Sequence, residues 1–267
     1  MRIQPATVKT TVLVTFLIMI AVNALANILP INGITTGQVS DSYPNLFAPA
    51  AVTFAIWGVI YLLLAAHTLY QLGLFHEFPD QPRVALLEKV GILFSISSLA
   101  NAAWVFAWHF DGIILSMLLM VVILLCLIAI NQILVSVSDR LSTREKIFIR
   151  LPFAVYFGWI TVATIANATV LLVSLGWNGW GLPESVWAVL IILVGMLIGA
   201  ATTIRNRDIF YGLVLVWAYI GILIKHQSET GFAGQYPVII GTVVLCLILL
   251  LAAIFYAFKL KQRREVM

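Results

Sequence analysis

Fourteen of the fifteen Lys and Arg residues fall in alternate gaps between eight long apolar runs. The runs cover about 10–29, 49–72, 89–110, 113–137, 149–175, 185–203, 209–225 and 237–258. Arg2 and Lys9 precede the first; Arg83 and Lys89, then Arg140, Arg144, Lys146 and Arg150, then Arg205 and Arg207, and finally Lys259, Lys261, Arg263 and Arg264 occupy every second gap. The remaining gaps (30–48, around residue 111, 176–184 and 226–236) hold none, and Lys225 sits at the rim of the last. An apolar run of about 20 residues crosses a hydrocarbon layer of roughly 30 Å, and cationic loops are retained on the cytoplasmic side. The pattern predicts an all-α, polytopic membrane helix bundle of eight spans in the cell membrane, with both termini in the cytoplasm.

Composition agrees. Of 267 residues, 62% are hydrophobic and 10% charged, so eight spans leave short loops and no soluble domain. The net charge of +4 is the positive-inside bias itself, with residues 259–264 placed against anionic headgroups. No folded basic surface remains for nucleic acid. Cys126 and Cys246 lie within apolar runs and are expected to pack rather than to form a disulfide. Arg2, Lys9, the apolar stretch from Val12 to Val22 and Ala24-Leu25-Ala26 also fit a cleaved signal peptide. The stretch continues through Ile28 and Leu29, long enough to span, and the retained helix is the reading adopted.

Pro49, Pro152, Pro183 and Pro237 are expected at helix entries, where a missing N–H costs nothing. Asp111-Gly112 predicts a tight turn joining an antiparallel helix pair. Trp177, Trp180, Phe210 and Tyr211 are placed in an interfacial aromatic belt. Gly195 and Gly199 form a small-xxx-small face that admits a close helix neighbour. Loop 30–48 is long enough for a lid, and the segment 73–88, with Glu77, Asp80, Arg83 and Glu88, is expected along the headgroups.

No Asp, Glu, Lys or Arg falls near the middle of a run, which removes the groups that ion-coupled pumps and voltage sensors use. A His-Glu-x-x-His zinc pattern and a Gly-x-Ser-x-Gly elbow are missing. His67, His76, His109 and His226 are scattered and are expected to make hydrogen bonds rather than a metal site. What remains is a set of polar-aromatic stripes at i, i+3, i+7 spacing, each on one helix face. They are Phe54, Trp57 and Tyr61; Asn101, Trp104 and Trp108; and Tyr156, Trp159 and Ala163, extended by Asn167. Asn23 and Asn27 add an i, i+4 pair. Buried amides, indoles and phenols need partners. These faces would either converge on a small-molecule pocket or bond one another as structural glue.

The stripes resemble the translocator protein family, also called tryptophan-rich sensory or peripheral-type benzodiazepine receptor proteins. The resemblance covers about residues 10–175. Pro49 followed by Phe54-Ala-Ile-Trp57-Gly-Val-Ile-Tyr61 resembles the family's second helix, Asn101-Ala-Ala-Trp104 its third, and Tyr156, Trp159, Ala163 and Asn167 its fifth. Phe54 to Trp57 is one residue shorter than the family spacing, Pro152 lies one turn early, and loop 30–48 has neither Trp nor Lys. The resemblance implies a five-helix bundle over 1–175, followed by three additional helices and a basic tail over 176–267. It also implies a pocket for a flat hydrophobic ligand, tetrapyrrole-like, capped by loop 30–48. Trp57, Tyr61, Trp104 and Trp159 would stack on the ligand, with Phe54, Trp108, Tyr156 and Ala163 alongside. Asn23, Asn27, Asn101 and Asn167 would orient it.

No cofactor or metal is required, although a tetrapyrrole is the expected ligand. Partners are membrane lipid, the hydrophobic ligand and, as an open alternative, a second copy of the chain. A secondary transporter of another small solute and a structural membrane partner protein stand as rivals. A catalytic role would have only Tyr, Trp and His to use, and is left open.

Overall fold

The computed structural model describes residues 5–28, 31–75 and 81–266. Arg2, His76, Glu77 and Asp80 lie outside the described residues, as do the side chains of Arg263 and Arg264. Among the described residues, eight helices are long and apolar enough to cross a membrane. They are α1 (Pro5–Ile28), α2 (Ile56–Leu72), α3 (Gln81–His109), α4 (Ile113–Ser136), α5 (Leu151–Ser174), α6 (Glu184–Asn206), α7 (Ile209–Gln227) and α8 (Pro237–Val266). Large side chains such as Leu62, Ile114, Leu125, Ile248 and Phe255 are more than half exposed. Contiguous apolar surface of this kind is stable only in lipid, so the chain is a multi-pass membrane protein.

The helices form two compact units. The first comprises the described residues of Met1–Val39 together with Trp57–Phe157. Its centre is α3, which packs on α1 and on α4. Small residues make this possible: Ser95, Ser97, Ser98 and Ala100 are buried along α3, and a Cβ on Gly91 would meet Val8 at 2.9 Å and Val12 at 3.0 Å. The expected turn at Asp111-Gly112 is present, with Asp111 in the left-handed region (φ 54), and α3 and α4 are neighbours as the short connection requires.

Pro152 is the second residue of α5, in its first turn as expected, but the chain is already helical before it. A capping box between Ser142 and Glu145 starts the helical segment at Thr143–Glu145, which continues through a wide π-type turn, Lys146–Arg150, into α5. Pro152 has no N–H to offer the Phe148 carbonyl four residues earlier. That carbonyl bonds instead to His67 Nδ1 at 3.0 Å, and His67 is fully buried between the rings of Phe94 and Phe153. Residues 81–88 are also corrected: they form the first turns of α3, where Arg83 pairs with Glu145 at 2.6 Å.

The second unit is Ser40–Ile56 with Gly158–Met267, in which α6, α7 and α8 pack on one another. The boundary expected at 175/176 therefore coincides with neither unit's edge. Packing explains this. Gly158 of α5 brings its backbone against Val214 and the Tyr211 carbonyl of α7. The 3-10 turn Ala51–Ala55 docks on the same helix through Ala50 N–H to Gly221 O (3.0 Å) and Trp217 Nε1–H to Thr53 O (2.9 Å). A Cβ on Gly195 would meet the Tyr219 hydroxyl at 2.8 Å and one on Gly199 would run into Leu215, so the small-xxx-small face of α6 is used within the unit. Tyr211, expected in the aromatic belt, is 1% exposed and donates to Thr161 Oγ1 at 3.2 Å. Phe210 is exposed, as a belt residue should be.

Candidate ligand-binding site

Eight of the twelve residues expected in the pocket lie in the first unit, and most are connected there. Asn23 is buried in α1 and donates Nδ2–H both to Met19 O (2.9 Å) and to Asn101 Oδ1 (2.7 Å). Asn27 lies one turn on, at an exposed position, and donates to the Asn23 carbonyl at 2.9 Å. Asn101 is fully buried on α3 and stands beside the Tyr156 hydroxyl of α5. The Tyr156 ring meets Trp57 edge-on at 6.0 Å, and Trp57 stacks on Tyr61 at 5.4 Å. One turn after Asn101, Trp104 stacks on Trp108 at 5.6 Å with an interplanar angle of 21°.

Hydrogen bonding separates these residues into two kinds. Trp108 Nε1–H donates to Thr36 O at 3.1 Å. Its neighbour His109 is bonded through Nδ1 to Ile31 O (3.0 Å) and through Nε2 to Thr36 Oγ1 (3.1 Å). Trp108 and His109 thus fasten the first half of loop 30–48, including the short helix Thr36–Asp41, to the end of α3. By contrast, Trp104 Nε1 is buried without a hydrogen-bond partner, and the buried Asn101 Nδ2 and Tyr156 hydroxyl have only a loose contact with each other. A buried donor left unmade costs about 1–3 kcal/mol, and native interiors contain few of them. Here the Trp104 indole is such a donor, one turn from Asn101 on the face of α3 that carries the aromatic rings.

The other four expected residues lie in the second unit. Phe54 meets Trp159 edge-on at 5.8 Å, and Trp159 and Asn167 are each 2% exposed. Ala163 is half-buried on the same helix. In that unit the loop's second half is fastened separately, by Lys225 to Asp41 at 2.9 Å and by His226 Nε2 to Leu46 O at 2.9 Å.

Sequence reasoning missed one feature. A cavity of about 400 Å³ lies within the second unit, where the end of α5 and the start of α6 meet residues 44–47. Trp177 and Trp187 line it together with Glu184. The crowding of Trp177, Trp180 and Trp187 into one short stretch is the signal that marks the place; the belt expectation covered Trp177 and Trp180 and left Trp187 without a role.

A family profile described as TSPO-like protein matches residues 9–256. The match runs through the last three helices as well as the first five. No curated protein and no solved structure matches the chain.

Proposed function

The chain belongs to the TSPO-like protein family and is an integral membrane protein; from that premise we propose that its first unit binds a flat, largely apolar small molecule of tetrapyrrole type. The observation that carries this reading is the buried polar cluster of Asn101, Trp104 and Tyr156, in which the Trp104 indole N–H has no hydrogen-bond partner and the Asn101 amide N–H and Tyr156 hydroxyl have only each other. All three can donate a hydrogen bond. A ligand that fits them brings acceptors, such as a carboxylate or ring carbonyl, on an otherwise apolar body. Trp57, Tyr61 and Trp104 supply ring faces, and a broad π-system buries large area against them at little entropic cost. Asn23 holds the Asn101 carboxamide so that its N–H points away from α1's own amide.

The role built on such binding is sensory or transport. Residues 31–36, tied to Trp108 and His109, would gate access from the loop side. The Lys and Arg distribution supports termini on the cytoplasmic side of a cell membrane; reporter fusions at residue 267 and in loop 176–184 test that orientation.

The binding test is a titration of the purified protein with protoporphyrin, read by quenching of tryptophan fluorescence. Saturable quenching is expected, and Trp104→Phe and Tyr156→Phe should each weaken affinity by about tenfold through loss of one donor. Quenching no stronger than that of an unrelated membrane protein, or unchanged in both variants, would overturn the proposal. Uptake of the porphyrin into proteoliposomes separates transport from sensing.

A further inference from the structure

We propose that the cavity in the second unit is a separate site for a hydrophobic monovalent cation. Its walls are largely apolar, with Leu46 and Phe47 on one side and Leu172, Ala188 and Ile191 on others, and Asn45, Thr169 and Asn178 add uncharged polar groups. Among the described residues that line it, Glu184 alone carries a charge, and no described cation forms an ion pair with it. A half-open, largely apolar pocket with one exposed carboxylate at its rim favours a molecule of opposite character, a bulky apolar body with a single positive charge.

The aromatic groups point to the same chemistry. Trp187 is 4.8 Å from Trp177 and 5.4 Å from Trp180, and the Trp177 and Trp180 rings are 5.6 Å apart, all edge-to-face. Indole faces attract cations more strongly than any other side-chain ring. The cluster is held in place before anything binds. Gly179, Trp180 and Gly181 are consecutive left-handed residues (φ 62, 53 and 78), a conformation that is strained for a bulky residue such as Trp180. The strain is stabilised by Asn178 Oδ1 accepting from Trp180 N–H at 3.0 Å and by Trp187 Nε1–H donating to Gly179 O at 2.8 Å. The opposite wall is equally fixed, since Asn45 Oδ1 accepts from the N–H groups of Phe47 (3.1 Å) and Ala48 (2.8 Å). A volume of about 400 Å³ suits a body of the size of tetraphenylphosphonium.

The test uses a pair of ions of one shape and opposite charge, tetraphenylphosphonium and tetraphenylborate. Each is equilibrated by dialysis against full-length protein in a neutral detergent, with protein-free micelles subtracted. Saturable binding of the cation at one site per chain and none of the anion is expected. Glu184→Gln should weaken the cation by about two- to fivefold, since it removes the one charge among the lining residues, at an exposed position where solvent screens it. Trp187→Leu should weaken it as well. Asp139→Asn, which removes one negative charge from the first unit, should leave the affinity unchanged, and so should Trp104→Phe, which separates this site from the tetrapyrrole site. Equal uptake of both ions, an inert Glu184→Gln, or a loss in Asp139→Asn matching that in Glu184→Gln would each overturn the proposal.

Discussion

Asn23 of α1 donates its side-chain N–H to the carboxamide oxygen of Asn101 on α3 at 2.7 Å, within the buried interior of the first unit. The second hydrogen on the same Asn23 nitrogen goes to Met19 O, one turn back. Both hydrogens are therefore used, and the Asn101 oxygen is the accepting end of the pair. The orientation of the Asn101 amide follows, with buried Nδ2 turned toward the Tyr156 hydroxyl.

Replacing Asn23 with Leu should lower stability by about 1 kcal/mol, the usual scale for an interhelical polar contact in a membrane protein. It should also release the Asn101 amide to rotate and so weaken porphyrin binding. A double-mutant cycle with Asn101→Leu, read by thermal unfolding in detergent, should show clear non-additivity. Fully additive losses would mean that the two amides do not act as a pair.

His67 and Pro152 are expected to be coupled through the Phe148 carbonyl. His67→Leu leaves that buried acceptor unmade, which costs about 1–3 kcal/mol. Pro152→Ala restores an N–H able to reach it, so the double variant should regain part of the loss. A double variant less stable than the sum of its parts would contradict this account of the π-type turn.

The glycine face of α6 separates internal packing from association between copies. Gly199→Ile drives a side chain into Leu215, and overpacking of this kind costs about 1–3 kcal/mol. The melting temperature should fall while the mass of the purified particle is unchanged. Preserved stability with an altered oligomeric mass would instead place that face between copies.

Lys225 and Asp41 form a surface pair with side-chain exposures of 22% and 50%. Exposed pairs contribute roughly 0–1 kcal/mol, so Lys225→Met should change the melting temperature little. A loss well beyond that range would show that the pair anchors the loop's second half, a task the structure assigns chiefly to His226 and Leu46.

The sequence made the spans legible because a hydrocarbon layer imposes length and apolarity on every crossing helix: each of the eight runs corresponds to a helix long enough to span. The pairings Asn23 with Asn101 and Trp104 with Trp108 were half legible. Spacing put Trp104 and Trp108 on one face, but nothing local said that Asn101 would find Asn23 on α1. Pro152 lies in the first turn of α5 as its type suggested, but nothing local said that a helical segment would precede it or that Phe148 O would be taken by His67. Tyr211 looked interfacial for a similar reason, since its position at the start of α7 says nothing of Thr161 on α5. The Trp177, Trp180 and Trp187 cluster escaped notice because two left-handed glycines and an Asn178 turn assemble it, and backbone angles of that kind are not periodic.

The most direct test is of the Trp104 indole itself. Protein carrying 15N-labelled tryptophan, with Trp104→Phe used for assignment, gives an indole N–H resonance that reports whether the donor acquires a partner. On addition of protoporphyrin the account predicts a large downfield shift of the Trp104 resonance, saturating in step with fluorescence quenching, while the Trp108 indole, already bonded to Thr36 O, moves less. Saturable quenching with an unmoved Trp104 resonance would contradict it.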